Sequence, residues 1–255
     1  MGNSILASRV CLDINSWVEG FKHDFYLNFI KDDRYMYLLK GLWMTLQITF
    51  FAVLIGIALG VVAAIVRSTH DKIIDEMRPG LRKFLLKFFN AIVKIYLTVI
   101  RGTPVVVQLL IMYYVIFASS TNQILIAVLA FGINSGAYVA EIFRSGIMSI
   151  DNGQFEAGRS LGFNYIQTMI HIIIPQAFKN VLPALANEFI VLIKETSISG
   201  YVGIQDLTRG GDVIRSRTFS AFMPLIAVAC IYLVIVIFFT KMVTILERRL
   251  RNSER

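Results

Sequence analysis

Long apolar stretches alternate along the chain with shorter polar or charged ones. Crossing a hydrocarbon core about 30 Å thick takes about 20 residues of helix, so each long apolar stretch is a candidate membrane span. Two of these stretches contain no charged residue, and three contain isolated charges. The five predicted spans are residues 41–66, 88–117, 124–143, 181–198 and 219–240.

A sixth stretch, residues 160–178, is uncharged but is interrupted by polar residues, a glycine and a proline. Charge placement argues against counting it as a span. Residues 67–87 hold six Lys or Arg and residues 248–255 hold four, and such clusters favour the cytoplasmic side. Five spans place both clusters there, with the N-terminus outside. Residues 160–178 are then expected to lie along or shallowly within the inner leaflet.

Composition agrees with a membrane protein. Apolar residues make up 56% of the 255-residue chain and charged residues only 16%. Soluble domains carry about 25% charged residues, so an ordinary cytosolic globule is excluded. The net charge of +8 is typical of cytoplasmic Lys and Arg clusters in a membrane protein, and no nucleic-acid partner is expected. The fold class predicted is an all-α integral membrane protein.

Three segments are expected. Residues 36–246 form one membrane domain, residues 1–35 an extracytoplasmic N-terminal segment, and residues 247–255 a cytoplasmic tail. The N-terminal segment is not expected to be a signal peptide, because acidic residues interrupt it. Phe21, Phe25 and Phe29 recur at helical spacing, which indicates a helix on the outer membrane surface. A loosely packed extension is the alternative.

The first span carries a small residue at every fourth position: Ala52, Gly56, Gly60 and Ala64. Such a stripe lets two helix backbones approach closely in a membrane. It indicates either a subunit interface or a contact with another helix of the same chain.

Polar residues inside the second and fourth spans are candidates for a translocation path. Arg101 and Pro104 lie in the second span, where proline removes a backbone donor and a charge at depth is costly. We expect a broken helix lining the path, or a kink with Arg101 paired structurally. Glu188 lies near the middle of the fourth span, where it meets a cationic substrate or forms an ion pair with Arg101 or Lys94.

The most specific signal lies at residues 151–175. The pattern predicts a short helix, a break at Gly162, a second helix and a stop at Pro175. Phe155, Leu161 and Phe163 are candidate apolar anchors for a soluble partner, the alternative being an inner-leaflet packing helix.

This segment resembles the cytoplasmic coupling loop of ABC importer permeases, whose pattern is Glu-Ala-Ala, three residues, Gly, nine residues, Ile, any residue, Leu, Pro. Here Glu156 opens the pattern, three residues separate Gly158 from Gly162, and nine separate Gly162 from Ile172. The departures are Gly158 for the second alanine, at the third position of the motif, and Ile174 for leucine. Further motifs resemble the polar amino-acid branch of these permeases, the histidine, glutamine and arginine type: Arg101-Gly-Thr-Pro104 with Gln108, residues 137–147, residues 153–156 and residues 194–197.

The resemblance implies the type I importer permease fold, with about five spans and a coupling helix. It implies a bacterial cytoplasmic-membrane location with the N-terminus outside and the C-terminus cytoplasmic. Two permease subunits, identical or homologous, would form the path for polar, particularly basic, amino acids. An extracytoplasmic binding protein would deliver the amino acid, and a dimer of ATP-binding subunits would grip the two coupling loops.

The chain is not expected to be an enzyme, because it has no Gly-x-x-x-x-Gly-Lys-Ser/Thr phosphate loop. No cofactor or metal is expected, and ATP is bound by the partner. An ion-coupled secondary amino-acid carrier, with Glu141 and Glu188 relaying protons, is the alternative function. The predicted pathway residues are Arg101, Thr103, Pro104, Gln108, Asn187 and Glu188. The predicted coupling residues are Gln154, Glu156, Ala157, Gly158, Arg159 and Gly162.

Overall fold

A computed structural model describes residues 17–252 of the chain, with side chains to Leu250. Regular structure in this part is helical throughout. Residues 1–16 of the predicted N-terminal segment and residues 253–255 of the predicted tail lie outside the described residues. The helices are α1 (17–25, continued by a π-turn Tyr26–Ile30), α2 (Tyr35–Ile73), α3 (Leu81–Gly102), α4 (Val105–Ile111, continued by a π-turn Met112–Ile116), α5 (Gln123–Met148), α6 (Asn152–Ser160), α7 (Tyr165–Thr168), α8 (Ile174–Glu195), α9 (Leu207–Thr218) and α10 (Phe222–Asn252).

The predicted number of spans is confirmed when a broken helix is counted as one. Within residues 17–252, four helical stretches are long and apolar enough to cross a membrane: Tyr35–Ile73, Gln123–Met148, Tyr165–Val202 and Phe222–Leu250. Helices α3 and α4 meet the same criterion together, although they are bent by 109° where they join. Residues 247–252 of the predicted tail continue α10 as helix.

The core of the described chain is the contact between α2 and α5. Along α2, Ala52, Gly56, Gly60 and Ala64 are all buried. A methyl group added at Gly56 would lie 3.0 Å from the Ser135 side chain, and one at Gly60 would meet Val139 of α5. The small-residue stripe therefore serves a contact within the chain. Of the two interpretations of this pattern, contact with another helix of the same chain is confirmed.

The fourth span differs from the prediction at its N-terminal end. Helix α7 passes through a π-turn, Met169–Ile173, into α8, so Tyr165–Val202 is one long helical stretch and does not begin at residue 181. The predicted stop at Pro175 is wrong. Proline has no N–H to donate, and a π-turn just before it is a usual way for a helix to accommodate this loss without ending. Residues 165–178 are thus helically continuous with the fourth span and do not form a separate helix.

The loop between the fourth and fifth spans is packed against the start of α2. Asp206 is buried and caps α9 by accepting hydrogen bonds from the backbone N–H groups of Thr208 and Arg209. Burial raises the pKa of Asp206 to about 6. On the exposed side of α9, the hydrogen bond from Arg215 holds the pKa of Asp212 below its usual range. These interactions make the loop a fixed part of the fold.

Candidate translocation and coupling sites

The break between α3 and α4 is held together by the side chain of Gln108. Its Nε2 donates to the carbonyl oxygens of Ile100 at 2.8 Å and Thr103 at 3.0 Å, and to the Thr103 hydroxyl at 2.9 Å. Its Oε1 accepts from Asn134 Nδ2 of α5 at 2.9 Å. Thr103 is extended, as expected for the residue before Pro104. The Ile100 carbonyl at the end of α3 thus has a side-chain hydrogen-bond partner. Irregular backbone in a membrane needs such a partner because no water is available there.

Arg101 is paired, and its partner is Glu141 of α5. Arg101 Nη1 lies 3.8 Å from Glu141 Oε2, and its guanidinium lies 5.7 Å from the ring centre of Tyr138. Glu141 accepts a 2.6 Å hydrogen bond from Arg144, which lies 4.0 Å from Asp71 of α2. This series of charged side chains links α3, α5 and α2. It runs from the break between α3 and α4 toward the C-terminal end of α2, where α6 packs.

Glu188 is 8% exposed and faces α5, where its Oε1 accepts a 2.7 Å hydrogen bond from the Ser135 hydroxyl. Among the residues that the structure describes, Glu188 forms no ion pair with Arg101 or Lys94, so that expectation is wrong. Glu141 is the acidic partner of Arg101 because the end of α3 lies beside Tyr138 and Glu141 of α5. Asn187, next in the chain, is exposed on another side of α8. Among the predicted pathway residues, Arg101, Thr103, Pro104 and Asn187 have exposed side chains, and Gln108 and Glu188 do not.

Helix α6 is a short, defined element that is attached to the end of α2. Asp151 caps its N-terminus, with Oδ1 accepting from the Gly153 N–H at 2.6 Å. Lys72 of α2 donates to Asn152 Oδ1 at 2.8 Å and lies 4.2 Å from the ring centre of Phe155. Arg159 Nη2 lies 3.2 Å from Glu76 Oε1, just beyond α2. Contacts at both ends of α6 therefore fix its position relative to the first span.

Two of the glycines of the loop, Gly158 and Gly162, have different physical roles. Gly162 adopts a φ of 82°, which is left-handed, and a Cβ there would have nothing within 4 Å. The Gly162 N–H donates to Arg159 and the Phe163 N–H to Gly158, which closes α6 in a Schellman motif. Gly158 is buried, and a Cβ there would lie 2.6 Å from the Thr168 side chain. Gly162 is thus needed for the turn and Gly158 for the packing of α6 on α7.

The outer face of α6 is available to a partner. Leu161 is 71% exposed, and Ile166 at the start of the next helix is also exposed. Phe155, a predicted anchor, instead points inward and packs against buried Ile147, Ile173 and Ala177. Its position in the first half of α6 turns it toward the core. Of the predicted coupling residues, only Gly158 is buried. The exposed ones are Gln154, Glu156, Ala157, Arg159 and Gly162.

Sequence reasoning missed the contribution of α5 to these sites. Asn134 and Ser135 hold Gln108 and Glu188, and the Tyr96 hydroxyl of α3 donates to the Ile133 carbonyl at 2.6 Å. A signal was present in the sequence. Gly132 and Gly136 repeat the four-residue spacing of small residues, opposite the stripe on α2.

The chain has helical spans packed around a close α2–α5 pair, and one of the spans is broken. A short exposed helix lies between two spans. This arrangement defines a multi-span membrane permease. The chain belongs to the family described as binding-protein-dependent transport system inner membrane component, whose model matches residues 56–252.

Relatives named as transport permeases match this chain over most of their length. The arginine transport system permease protein ArtQ of Bacillus subtilis (strain 168) is 37% identical over 221 residues, 86% of this chain and 94% of ArtQ. The glutamine transport system permease protein GlnP of Escherichia coli (strain K12) is 34% identical over 219 residues, 84% of this chain and 93% of GlnP.

Solved structures agree on the fold. The crystal structure of an amino acid ABC transporter with histidines contains a chain 42% identical to this one, with a TM-score of 0.75, covering 87% of this chain and 98% of that one. A chain of the MetNI methionine ABC transporter in an inward-facing conformation is 18% identical, with a TM-score of 0.71 and coverage of 86% and 99%. This second likeness bears on the fold alone.

Proposed function

We propose that the chain is the permease subunit of an ATP-driven importer of polar amino acids in a bacterial cytoplasmic membrane. The observation that carries the proposal is α6, a capped and exposed helix fixed to the end of the first span. The amino-acid class is supported by relatives named for arginine and glutamine transport and by a similar structure described as an amino acid transporter. The N-terminus lies outside and α6 lies in the cytoplasm.

Energy enters through contact, because the chain has no phosphate-binding loop of its own. A dimer of ATP-binding subunits holds the α6 elements of two permease subunits, and its closure moves them. The clamp of Lys72 and Glu76 on α6 transmits this movement to α2, and the close α2–α5 contact passes it to the core. A shift from 1:99 to 99:1 between inward-facing and outward-facing states needs about 5.5 kcal/mol of differential binding.

The proposal predicts that uptake requires ATP on the side of α6. We expect proteoliposomes that contain the permease, its ATP-binding subunit and its binding protein to accumulate labelled arginine or glutamine only when ATP and Mg²⁺ are supplied on that side. A matched sample with a hydrolysis-deficient ATP-binding subunit serves as the control. Accumulation driven by a proton gradient, with no ATP-binding subunit present, would instead establish the ion-coupled carrier.

In the proposed importer, the substrate passes the break between α3 and α4 and the neighbouring face of α8. Arg101, Thr103 and Pro104 are exposed at the break, where the Arg101 guanidinium, which pairs with Glu141 on one side, stays open on the other side to a carboxylate. Gln108 fixes the geometry of the break through its hydrogen bonds to Ile100, Thr103 and Asn134. Glu188 presents the buried carboxylate nearest the middle of α8 and favours a substrate with an additional positive charge, such as arginine, histidine or lysine, over glutamine.

A charge-removing substitution tests the role of Glu188. We expect Glu188→Gln to reduce arginine uptake at low substrate by about tenfold while changing glutamine uptake much less, because an ion pair of about 1.4 kcal/mol is lost only with the cationic substrate. The amide retains a group that can accept from Ser135. Competition between labelled arginine and glutamine in the same vesicles gives the readout. An equal loss for both substrates would assign Glu188 to packing against α5.

A further inference from the structure

An exposed aromatic patch lies at the end of the molecule where α2 and α10 begin. It comprises Trp17, Phe21 and Phe25 of α1 with Phe219 and Phe222 at the turn into α10, all exposed. The three α1 residues follow one another at intervals of four, which places them within an arc of about 80° on the helix. The rings of Trp17 and Phe21 stack at 5.9 Å.

The patch belongs to a fixed part of the fold. Thr218 Oγ1 of α9 donates to Asn28 Oδ1 at 2.8 Å, and Asn28 is buried. Phe29 packs with Leu207 and Ile214 of α9 in a buried cluster. Helix α1 is therefore anchored at its C-terminal end, and its aromatic face has a defined position beside α10. Residues 28 and 29 therefore do not belong to a loosely packed extension.

Phe219 gives the clearest sign that the patch faces an apolar environment. Its φ is 54°, a left-handed conformation that is rare for a bulky residue, and its side chain is 96% exposed. The strained backbone thus directs a phenyl ring away from the protein. In water this arrangement would leave both the strain and the apolar surface uncompensated.

The depth of the patch identifies what covers it. Residues 222–240 of α10 are 19 residues without a charge, followed by Lys241. At 1.5 Å per residue this stretch measures about 28 Å, close to the hydrocarbon thickness of about 30 Å. Phe222 therefore marks the boundary of the hydrocarbon core. Trp17 and Phe21 share an open cleft of about 510 Å³ with Phe222 and so lie near the same level.

Aromatic rings at this level are typical of the membrane interface, where one edge is apolar and the other is hydrated. The other sides of α1 carry Glu19, Lys22 and His23, which suit the headgroup region. The patch is also continuous with the lipid-facing surface of the spans, since exposed Leu225 and Ile226 follow Phe222 along α10.

We propose that α1 is an interfacial membrane anchor whose aromatic face lies in the headgroup and acyl boundary of the leaflet at which α2 and α10 begin. Through Asn28 and Phe29 the anchor holds α9, and with it the loop between the last two spans, at a fixed height relative to the bilayer. The occupant of the patch is phospholipid, and neither the binding protein nor a second permease subunit.

The two tryptophans of the chain, Trp17 and Trp43, make a direct test possible. Trp43 lies on the exposed side of α2 near the start of its apolar stretch and serves as the interfacial reference. The W43F and W17F variants of the full chain, assembled with the ATP-binding subunit, are reconstituted into phosphatidylcholine vesicles with bromines at either the upper or the lower part of the acyl chains. Fluorescence quenching is measured without the binding protein and compared with quenching by aqueous acrylamide.

We expect bromines in the upper part of the acyl chains to quench the fluorescence of Trp17, measured in W43F, to within about twofold of that of Trp43, measured in W17F. The upper bromines should also quench Trp17 more strongly than the lower bromines do, as an interfacial position requires. Quenching of Trp17 by acrylamide but not by bromolipid would overturn the proposal in favour of a free surface. Quenching by neither agent would overturn it in favour of a protein-covered patch. If W43F does not assemble, the difference between the parent chain and W17F gives the same quantity.

Discussion

Replacing Leu161 with aspartate is expected to release the ATP-binding subunit while leaving the permease folded. Leu161 is 71% exposed at the end of α6, so the unbound chain loses no packing when it is changed. A buried apolar anchor at an interface is typically worth about 2–4 kcal/mol, which corresponds to roughly 30- to 1,000-fold weaker association. Copurification of the ATP-binding subunit in detergent and ATP-driven uptake in proteoliposomes measure the effect.

Leu81 provides a matched control for this substitution. It is the same residue type, 72% exposed, and lies at the start of α3, shortly after the end of α2 that holds α6. An aspartate at the first position of a helix is favourable to the helix dipole, so Leu81→Asp retains the fold. We expect it to keep association and uptake. Full copurification and coupled uptake of Leu161→Asp would show that this face of α6 is not the contact.

The second large effect is expected at the α2–α5 contact, where Gly60→Leu should prevent stable folding. A Cβ at this position would meet Val139 and lie 2.9 Å from the backbone nitrogen of Ala140, which cannot move aside as a side-chain end can. Overpacking of a buried site costs about 1–3 kcal/mol, and we expect about 3 kcal/mol or more here because the obstacle is backbone. The apparent melting temperature of the purified chain in detergent and its yield give the measurement.

Gly102→Leu is the control for the glycine substitution. A Cβ at Gly102 has nothing within 4 Å, and the residue lies at the exposed end of α3. The same side chain placed there should leave the melting temperature nearly unchanged. If Gly60→Leu melts at the same temperature as Gly102→Leu, the α2–α5 contact is looser than the structure indicates.

Features that depend on composition and local pattern were predictable. Uncharged stretches of about 20 residues identify spans because the hydrocarbon core excludes charge, and this gave the five spans. The break at Pro104 follows from a missing backbone donor, and the turn at Gly162 from the need for a left-handed residue after α6. These are properties of a residue and its immediate neighbours.

Features that depend on which helix lies beside which were not predictable. The apolar pattern leaves open an ion pair of Glu188 with Arg101 or Lys94, yet the partner of Arg101 is Glu141 because of how α3 crosses α5. Pro175 was expected to end a helix, and a π-turn carries the helix past it. Phe155 was expected to face a partner, and α6 turns it toward Ile173.

The sequence by itself determined the membrane-spanning class, the helices, the break in the second span and the position of the short helix α6. Each of these follows from solvation of charge and from backbone geometry over a few residues. Only the tertiary structure decided that the glycine stripe of α2 is used by α5, that Glu188 bonds to Ser135, and that α1 carries its aromatic face beside α10. Pairing of distant residues depends on helix packing, and several pairings are compatible with the same apolar pattern.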